Sequence, residues 1–240
     1  AEAQVDPALA TGVLYGPDKQ SYRHVPTLFT VHEDGSASAE LKRPGNSIYA
    51  IVQSAPSFLD WNVAWAREDI RQAAAKGIAF GDNARVFGAK RDITRGELVA
   101  IIVNGLGISP GSHSSPFKDV DANTPFAPEI IAAWKLGIIK GKSADRFDPE
   151  GLITRQELSA VLEQAMAFAG AENAASESAL APFADRSSIA PYARSSMALM
   201  VEQRILNGVS ATKLAPQGTV TKAQATVSVM RMLRALKLTD

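Results

Sequence analysis

Three short segments share one pattern of side chains that could bind an anion. They read ITRGE at residues 93–97, ITRQE at 153–157 and VTKAQ at 220–224. Each opens an apolar segment of helical spacing and places a cation at the first helical position, where the helix dipole disfavours it by about 0.3–1 kcal/mol. Free amides at a helix start can hold a carboxylate or phosphate together with a basic side chain. The repeated misfit therefore predicts an anion-binding role for Arg95, Arg155 and Lys222.

The same pattern also allows two simpler interpretations. A Thr followed three residues later by Glu or Gln is a capping box, which starts a helix and needs no further role. The basic residue could instead form a structural salt bridge to an acid of the neighbouring repeat, with Asp60, Asp119 and Asp185 as candidates. The residues alone leave the salt bridge and the binding role both open.

The segments belong to a longer internal repeat. Gly77, Gly81 and Phe87 recur 60 positions on as Gly137, Gly141 and Phe147, and a third copy follows with Gly208 in the corresponding loop. Each copy begins with a Phe-x-Asp signal, at 58–60, 117–119 and 183–185. The periodicity predicts a first helix at 65–76, 127–136 and 192–203, and a second at 94–106, 154–168 and 221–236.

The helix ends are predicted from the same comparison. Gly77 and Gly137 should end the first helix in two copies, because glycine adopts the left-handed conformation without strain. Arg204 takes this place in the third copy, so that helix is expected to end differently.

We therefore predict a mainly α fold of three helix-loop-helix repeats in a pseudo-threefold arrangement, with a small N-terminal β segment. The predicted divisions are 1–56 for the β-rich segment, as the end of a preceding domain, then 57–111, 112–175 and 176–240 for the repeats. Strands at 27–32, 37–41 and 48–53, joined by turns at 33–36 and 44–46, predict a β meander.

The composition excludes several classes of function. Of the 240 residues 46% are apolar, and 25 basic residues balance 25 acidic ones, which argues against a nucleic-acid partner. The absence of Cys excludes disulfides and thiolate metal sites. No apolar run approaches the ~18 residues that span a membrane, so no membrane insertion is expected. The chain begins at Ala1, which suggests a processed product or a piece of a larger protein.

Nothing in the sequence indicates an enzyme, and no cofactor or metal is expected. His24, His32 and His113 are expected to have surface or structural roles, and no catalytic motif is present. The acidic residues at 82, 145 and 148 lack the spacing of a calcium loop and suggest solvated loop acids. Trp65 and Trp134 are expected in the core, whereas Trp61 stays open for sugar stacking. The alternative function is a helical-repeat scaffold that binds a protein.

At the repeated residues the chain resembles the S-layer homology (SLH) family. The resemblance rests on the Phe-x-Asp start, the Gly-Ile-x-x-Gly after the first helix and the Thr-Arg-Ala-Glu-like helix start, and it covers about residues 57–236. It implies an extracellular module that anchors a larger surface protein non-covalently to the cell wall or S-layer of a Gram-positive bacterium.

The resemblance also implies a ligand and its site. The family binds a secondary cell-wall polysaccharide whose terminal N-acetylmannosamine carries a ketal-linked pyruvate. The basic residue of the helix-start motif binds the pyruvate carboxylate in grooves between adjacent repeats. That role falls on Arg95, Arg155 and Lys222, beside loops that contain Gly81, Gly141 and Gly208. The Lys222 site departs most from the family pattern, because Lys lacks the planar fork of Arg.

Overall fold

The fold is mixed α and β, so the prediction of a mainly α fold is wrong. The computed structural model describes residues 5–16, 22–43, 47–111, 114–172 and 174–240. Among them 34% are helical and 15% extended, with five strands in two small antiparallel sheets. The excess of extended structure has two sources: the first 55 residues contain more strands than the sequence pattern predicts, and short β-bridges join the repeats.

The N-terminal strands form two sheets and not one meander. In the first, β1 (Ala10–Tyr15) lies between β2 (Tyr22–Val25) and β5 (Tyr49–Gln53); in the second, β3 (Thr27–Val31) pairs with β4 (Ala37–Leu41). The predicted third strand pairs with β1, which the prediction omitted along with β2. The turn at 33–36 is confirmed, with Gly35 at φ +83°. The predicted turn at 44–46 lies outside the described residues, as does His113.

The sheets pack on the first repeat through a buried cation at the end of its first helix. Lys76 Nζ donates hydrogen bonds to the carbonyl oxygens of Pro7 at 2.8 Å and Ala10 at 3.0 Å. Burial lowers the pKa of Lys76 to about 8, although the nearby carboxylate of Asp240 opposes the shift. His24 in β2 is buried and has the expected structural role, with its ring Nδ1 2.7 Å from the Thr11 hydroxyl.

Six α-helices follow in the described residues, two in each repeat, close to the predicted positions. The first helices are α1 (Arg67–Ala75), α3 (Ala127–Lys135) and α5 (Arg194–Glu202). The second helices are α2 (Arg95–Gly105), α4 (Arg155–Phe168) and α6 (Lys222–Ala235). Gly77 and Gly137 follow α1 and α3 at φ +70° and +74°, as predicted. The prediction for the third copy is wrong, because Arg204 follows α5 in the same left-handed conformation, at φ +57°.

Replacing Arg204 with Gly is expected to stabilise the fold. A non-glycine residue pays about 1–2 kcal/mol in the left-handed region, and glycine avoids this strain while losing part of the gain to its greater freedom in the unfolded chain. We expect Arg204→Gly to raise the free energy of unfolding by about 0.5–1 kcal/mol, measured by urea denaturation. An unchanged or lower value would show that side-chain contacts of Arg204 outweigh the strain.

The three helix pairs share one hydrophobic core. Equivalent residues of the three loops, Phe87, Phe147 and Leu214, are fully buried in it. Two tryptophans expected in this core are not there: Trp65 is 56% exposed and Trp134 is 39% exposed. Trp65 precedes α1, in a turn, and the ring of Trp134 in α3 packs edge-on against Phe117. The remaining tryptophan, Trp61, is half-buried against Phe58.

Backbone contacts close the repeats into a ring. The start of each second helix forms a β-bridge with the segment that precedes the second helix of the next repeat, and the third repeat returns to the first. The bridged pairs are Thr94 with Leu152, Thr154 with Thr219, and Thr221 with Asp92. Each basic residue that follows a bridge is therefore held at a junction between two repeats.

Candidate anion-binding grooves

A capping box starts each of the three second helices, as predicted. The hydroxyls of Thr94, Thr154 and Thr221 each accept the amide N–H of the residue three positions on. The side chains of Glu97, Glu157 and Gln224 in turn accept the N–H of those threonines at 2.9–3.0 Å. This local structure fixes the intervening basic residue at the first helical position.

The amides beside these basic residues are already occupied, contrary to the expectation of free amides. Arg95 N–H donates to the carbonyl of Gly151 and Gly96 N–H to that of Pro149, both at 2.9 Å. The same arrangement recurs in the other two helices, whose acceptors are the carbonyls of Gly218, Pro216, Arg91 and Ala89. An anion at these sites would therefore be bound by side chains and not by the helix amides.

The first groove is formed where Arg95 crosses into the second repeat. Its Nε donates to the carbonyl of Phe147 at 3.1 Å, and its Nη2 to that of Lys140 at 3.3 Å. The guanidinium also lies 4.6 Å from the centre of the Phe147 ring, a cation–π contact. All of these partners are uncharged groups.

Arg155 makes the equivalent contacts with the third repeat. Its Nε donates to the carbonyl of Leu214 at 2.6 Å, and its Nη2 to that of Asn207. Within the described part of the chain, neither Arg95 nor Arg155 has a carboxylate within the 4.0 Å of an ion pair. A guanidinium has five N–H donors, more than these two bonds use, so both side chains keep donors for a ligand.

Burial makes these two cations electrostatically unusual. Arg95 is 7% exposed and Arg155 is 4% exposed. Burial lowers the pKa of both, opposed at Arg95 by the more distant charges of Glu157 and Asp148 and at Arg155 by Asp185. Each guanidinium is thus largely removed from water, and no carboxylate of the described ranges bonds to it directly.

Lys222 differs, because it is already paired. Its Nζ donates to Asp82 Oδ1 at 2.7 Å and lies 4.8 Å from the centre of the Phe87 ring. An ion pair with an acid of the neighbouring repeat is thus present here, as the salt-bridge alternative requires, although the acid was not among the predicted candidates.

The predicted candidates cap loop turns instead. Asp60 accepts the backbone N–H groups of Phe87, Gly88 and Ala89 at 2.6–3.1 Å. Asp119 and Asp185 each accept two equivalent N–H groups in their own repeats. Burial alone would raise the pKa of these carboxyls, but the backbone hydrogen bonds outweigh it, so all three lie below the usual value.

These carboxylates are expected to make the fold sensitive to acid. Their folded pKa lies below the unfolded value of ~3.9, so their contribution is fully present above that value and is lost as pH falls through the lower folded pKa. We expect the urea midpoint to fall steeply between about pH 4 and pH 2. The Asp119→Asn variant should show a shallower decline; an identical slope would exclude Asp119 as a contributor.

The three loop glycines are required by close packing. A Cβ at Gly81, Gly141 or Gly208 would lie 2.4–2.5 Å from the carbonyl oxygen two residues on. It would also meet the phenylalanine of the Phe-x-Asp signal in its own repeat. Gly81 and Gly141 each line a cavity beside a basic residue, while their first role is to let the loop fold tightly.

The cavity at Arg95 is built from all three repeats. Its volume is about 530 Å³, and its walls include Gly141, Lys142, Glu157 and Tyr192. Lys142 and Glu157 form an ion pair across it. Tyr192 is 62% exposed and offers an aromatic face. A cavity of about 350 Å³ lies beside Lys222.

The sequence interpretation missed three parts of these sites: Asp82 as an ion-pair partner, the phenylalanine rings beneath the cations, and Tyr192 as a wall. Asp82 carried a detectable signal. The residue after the loop glycine is Asp82, Lys142 or Val209 in successive repeats, so an alignment of the repeats shows that only the first copy places an acid there.

Two kinds of structure are absent from the described ranges. No helix there is long and apolar enough to cross a membrane. No cluster of three His, Cys, Asp or Glu side chains in the same residues is arranged to hold a metal ion.

These features define a module of repeats in which basic side chains of the chain line the grooves between successive repeats. The chain belongs to the S-layer homology domain family, whose pattern matches residues 57–99, 116–159 and 182–226. Members of this family form cell-wall anchoring modules, so the chain is an extracellular module of the bacterial cell wall or S-layer. The exact repeat boundaries stay a prediction.

Several curated proteins are similar to this chain. The amylopullulanase of Thermoanaerobacterium thermosulfurigenes is 30% identical over 78% of this chain and 10% of its own length. The surface-layer 125 kDa protein of Lysinibacillus sphaericus is 29% identical over 78% of this chain and 16% of its own. Exoglucanase XynX of Acetivibrio thermocellus is 28% identical over 76% of this chain and 17% of its own length. The chain thus spans less than a fifth of these relatives, and the enzyme-named ones match only through their SLH regions.

Proposed function

We propose that this module binds a secondary cell-wall polysaccharide whose terminal N-acetylmannosamine carries a ketal-linked pyruvate. Arg95 and Arg155 bind the pyruvate carboxylate, and the loops shaped by Gly81, Gly141 and Gly208 form the groove walls. Lys222 lines the third groove, where Asp82 already supplies a carboxylate. The module acts as an anchor for a larger surface protein and catalyses no reaction.

The observation that carries this proposal is the pair of buried guanidinium groups that have no carboxylate partner among the described residues. Burying a charge costs several kcal/mol unless it is paired. Carbonyl oxygens and one aromatic ring offset part of this cost at Arg95. A ligand carboxylate would supply the missing counter-charge and could accept two parallel N–H donors from the remaining fork.

The dimensions and chemistry of the Arg95 cavity also suit a saccharide. Its volume of about 530 Å³ lies within the ~300–1,000 Å³ of ordinary ligand sites. Tyr192 provides an apolar face with a polar tip for a sugar ring. The paired Lys142 and Glu157 provide a donor and an acceptor for hydroxyl groups.

The relatives support the same proposal. They carry this module within much longer proteins, named either as surface-layer proteins or as polysaccharide-degrading enzymes. An attachment function would serve both kinds of protein. The activity of a larger protein that contains this chain would then come from its other domains.

The proposal is tested by calorimetric titration with two matched saccharides. One is a pyruvylated N-acetylmannosamine disaccharide, and the other is the same disaccharide without the ketal pyruvate. We expect saturable binding of the first and none of the second, because only the first carries the carboxylate. Equal binding of the two, or no heat with either, would refute recognition of pyruvate.

A further inference from the structure

The groove at Lys222 contains a carboxylate that belongs to the chain. Lys222 Nζ donates to Asp82 Oδ1 at 2.7 Å, and the Lys222 side chain is only 5% exposed. Arg91 holds the same carboxylate with two bonds, from Nε to Oδ2 at 2.8 Å and from Nη2 to Oδ1 at 2.6 Å. Both oxygens of Asp82 are thus bonded by cations, in the way that proteins bind a carboxylate ligand.

In the other two grooves no carboxylate of the described residues bonds the basic residue at the helix start, although Glu157 lines the Arg95 cavity and pairs there with Lys142. The position after the loop glycine carries Lys142 in the second repeat and Val209 in the third, and neither side chain can supply a negative charge. Correspondingly, in the part of the chain that the structure describes, Arg95 and Arg155 form no ion pair. One position in the repeat therefore separates the Lys222 groove from the two Arg grooves.

The carboxyl group of Asp82 is ionised at neutral pH. Hydrogen bonds from Arg91, and to a smaller extent the charge and hydrogen bond of Lys222, lower the pKa of Asp82 to about 2, against the opposing effect of burial. A carboxylate that entered the adjacent cavity of about 350 Å³ would meet this negative charge. The two negative charges, of Asp82 and of the entering carboxylate, would repel each other.

We infer that Asp82 occupies, in the Lys222 groove, the place that a ligand carboxylate takes in the Arg95 and Arg155 grooves, and that it closes this groove to anionic ligands. The inference rests on the proposed function of the Arg grooves. Its consequence is that each chain binds two pyruvylated glycan ends and not three. Asp82 is thus a residue that determines the valency of the anchor.

The test is the stoichiometry of binding of the pyruvylated disaccharide. We expect two molecules per chain for the parent and three for Asp82→Ala, which leaves Lys222 without its carboxylate partner while Arg91 stays paired with Glu97. The double variant Asp82→Ala/Lys222→Met should return to two. Asp145→Ala is the matched control, since Asp145 is an exposed acid in the corresponding loop of the second repeat, and Lys118 is its one ion-pair partner among the described residues. This variant should still bind two molecules.

The melting temperature provides a second readout. Asp82→Ala leaves Lys222 buried without its partner, so the variant should melt lower than the parent and regain more of its melting temperature when saturated with ligand. If this variant does not fold, Asp82→Asn removes the charge while keeping the volume, and should still admit a third, weaker ligand. Three ligands on the parent, or two on the folded Asp82 variants, would overturn the inference and leave the proposed function intact.

Failure of the proposed function has a different signature. If the parent binds no disaccharide, crystals of the parent and of Asp82→Ala soaked in pyruvate decide the inference by themselves. A pyruvate carboxylate beside Lys222 in the variant alone would support a closed groove. The same density in both crystals, or in neither, would overturn it.

Discussion

Replacing Arg95 with Ala is expected to abolish binding in its groove while the fold stays intact. A charge-assisted hydrogen bond contributes about 1.5–3 kcal/mol, so loss of a two-pronged contact weakens binding by a factor of about 100 or more. Calorimetry on Arg95→Ala should detect only the Arg155 groove, and Arg95→Ala/Arg155→Ala should show no binding. Lys222→Ala should leave the number of bound ligands unchanged.

The conservative variant Arg95→Lys separates charge from geometry. Lys keeps the positive charge but lacks the planar fork, so binding should persist at about tenfold lower affinity. The melting temperature of each variant is the structural control. Full binding by Arg95→Ala/Arg155→Ala would mean that both side chains serve packing alone. A large fall of the melting temperature in all the variants would lead to the same conclusion.

Among the variants proposed here, Asp60→Ala is expected to lower the free energy of unfolding the most. The Asp60 carboxylate accepts three backbone N–H groups of the loop that precedes α2, and these donors would lose their partners. Unsatisfied buried donors cost about 1–3 kcal/mol each, so we expect the free energy of unfolding to fall by about 3 kcal/mol or more. Urea denaturation measures this change.

The control for this variant is Asp145→Ala, which removes an exposed acid and should leave the urea midpoint close to that of the parent. The loss of stability in Asp60→Asn should lie between those of the two Ala variants, since the amide oxygen of Asn can still accept some of the three backbone N–H groups. A loss at Asp60→Ala as small as at Asp145→Ala would mean that water replaces the carboxylate in this turn.

The helical part of the fold could be predicted because its determinants are local. The residues that make a capping box or a 3.6-residue apolar pattern lie within a few positions of one another. The six α-helices of the described residues lie close to where the apolar pattern predicts them, and α2, α4 and α6 begin at the predicted capping boxes. The strands failed for the opposite reason. β1 is stabilised by pairing with β5, as Gly12 with Ile51, and a long-range pair leaves no local pattern. The fold class was wrong because these non-local strands and bridges were not counted.

The site could be predicted in part. The positions of the basic residues followed from the repeats, but their partners depend on which repeat each side chain enters. Arg95 lies against Phe147, 52 residues away in the chain, and Lys222 against Asp82, 140 residues away. The sequence equally could not show that neighbouring carbonyls occupy the helix amides, since those carbonyls come from the adjoining repeat.

The closed ring of repeats also determines when this anchor can start to work. In an open solenoid each repeat contacts only its neighbours, so the repeats made first can assemble before the last is present. Here the third repeat supplies partners to the first, through the bridge of Asp92 with Thr221 and the contact of Lys222 with Asp82. Such distant contacts form late, because closing a long loop costs entropy before any contact is gained. A chain that emerges gradually from the secretion machinery would therefore gain its complete grooves only after the third repeat is outside, which delays attachment until export of this module is finished.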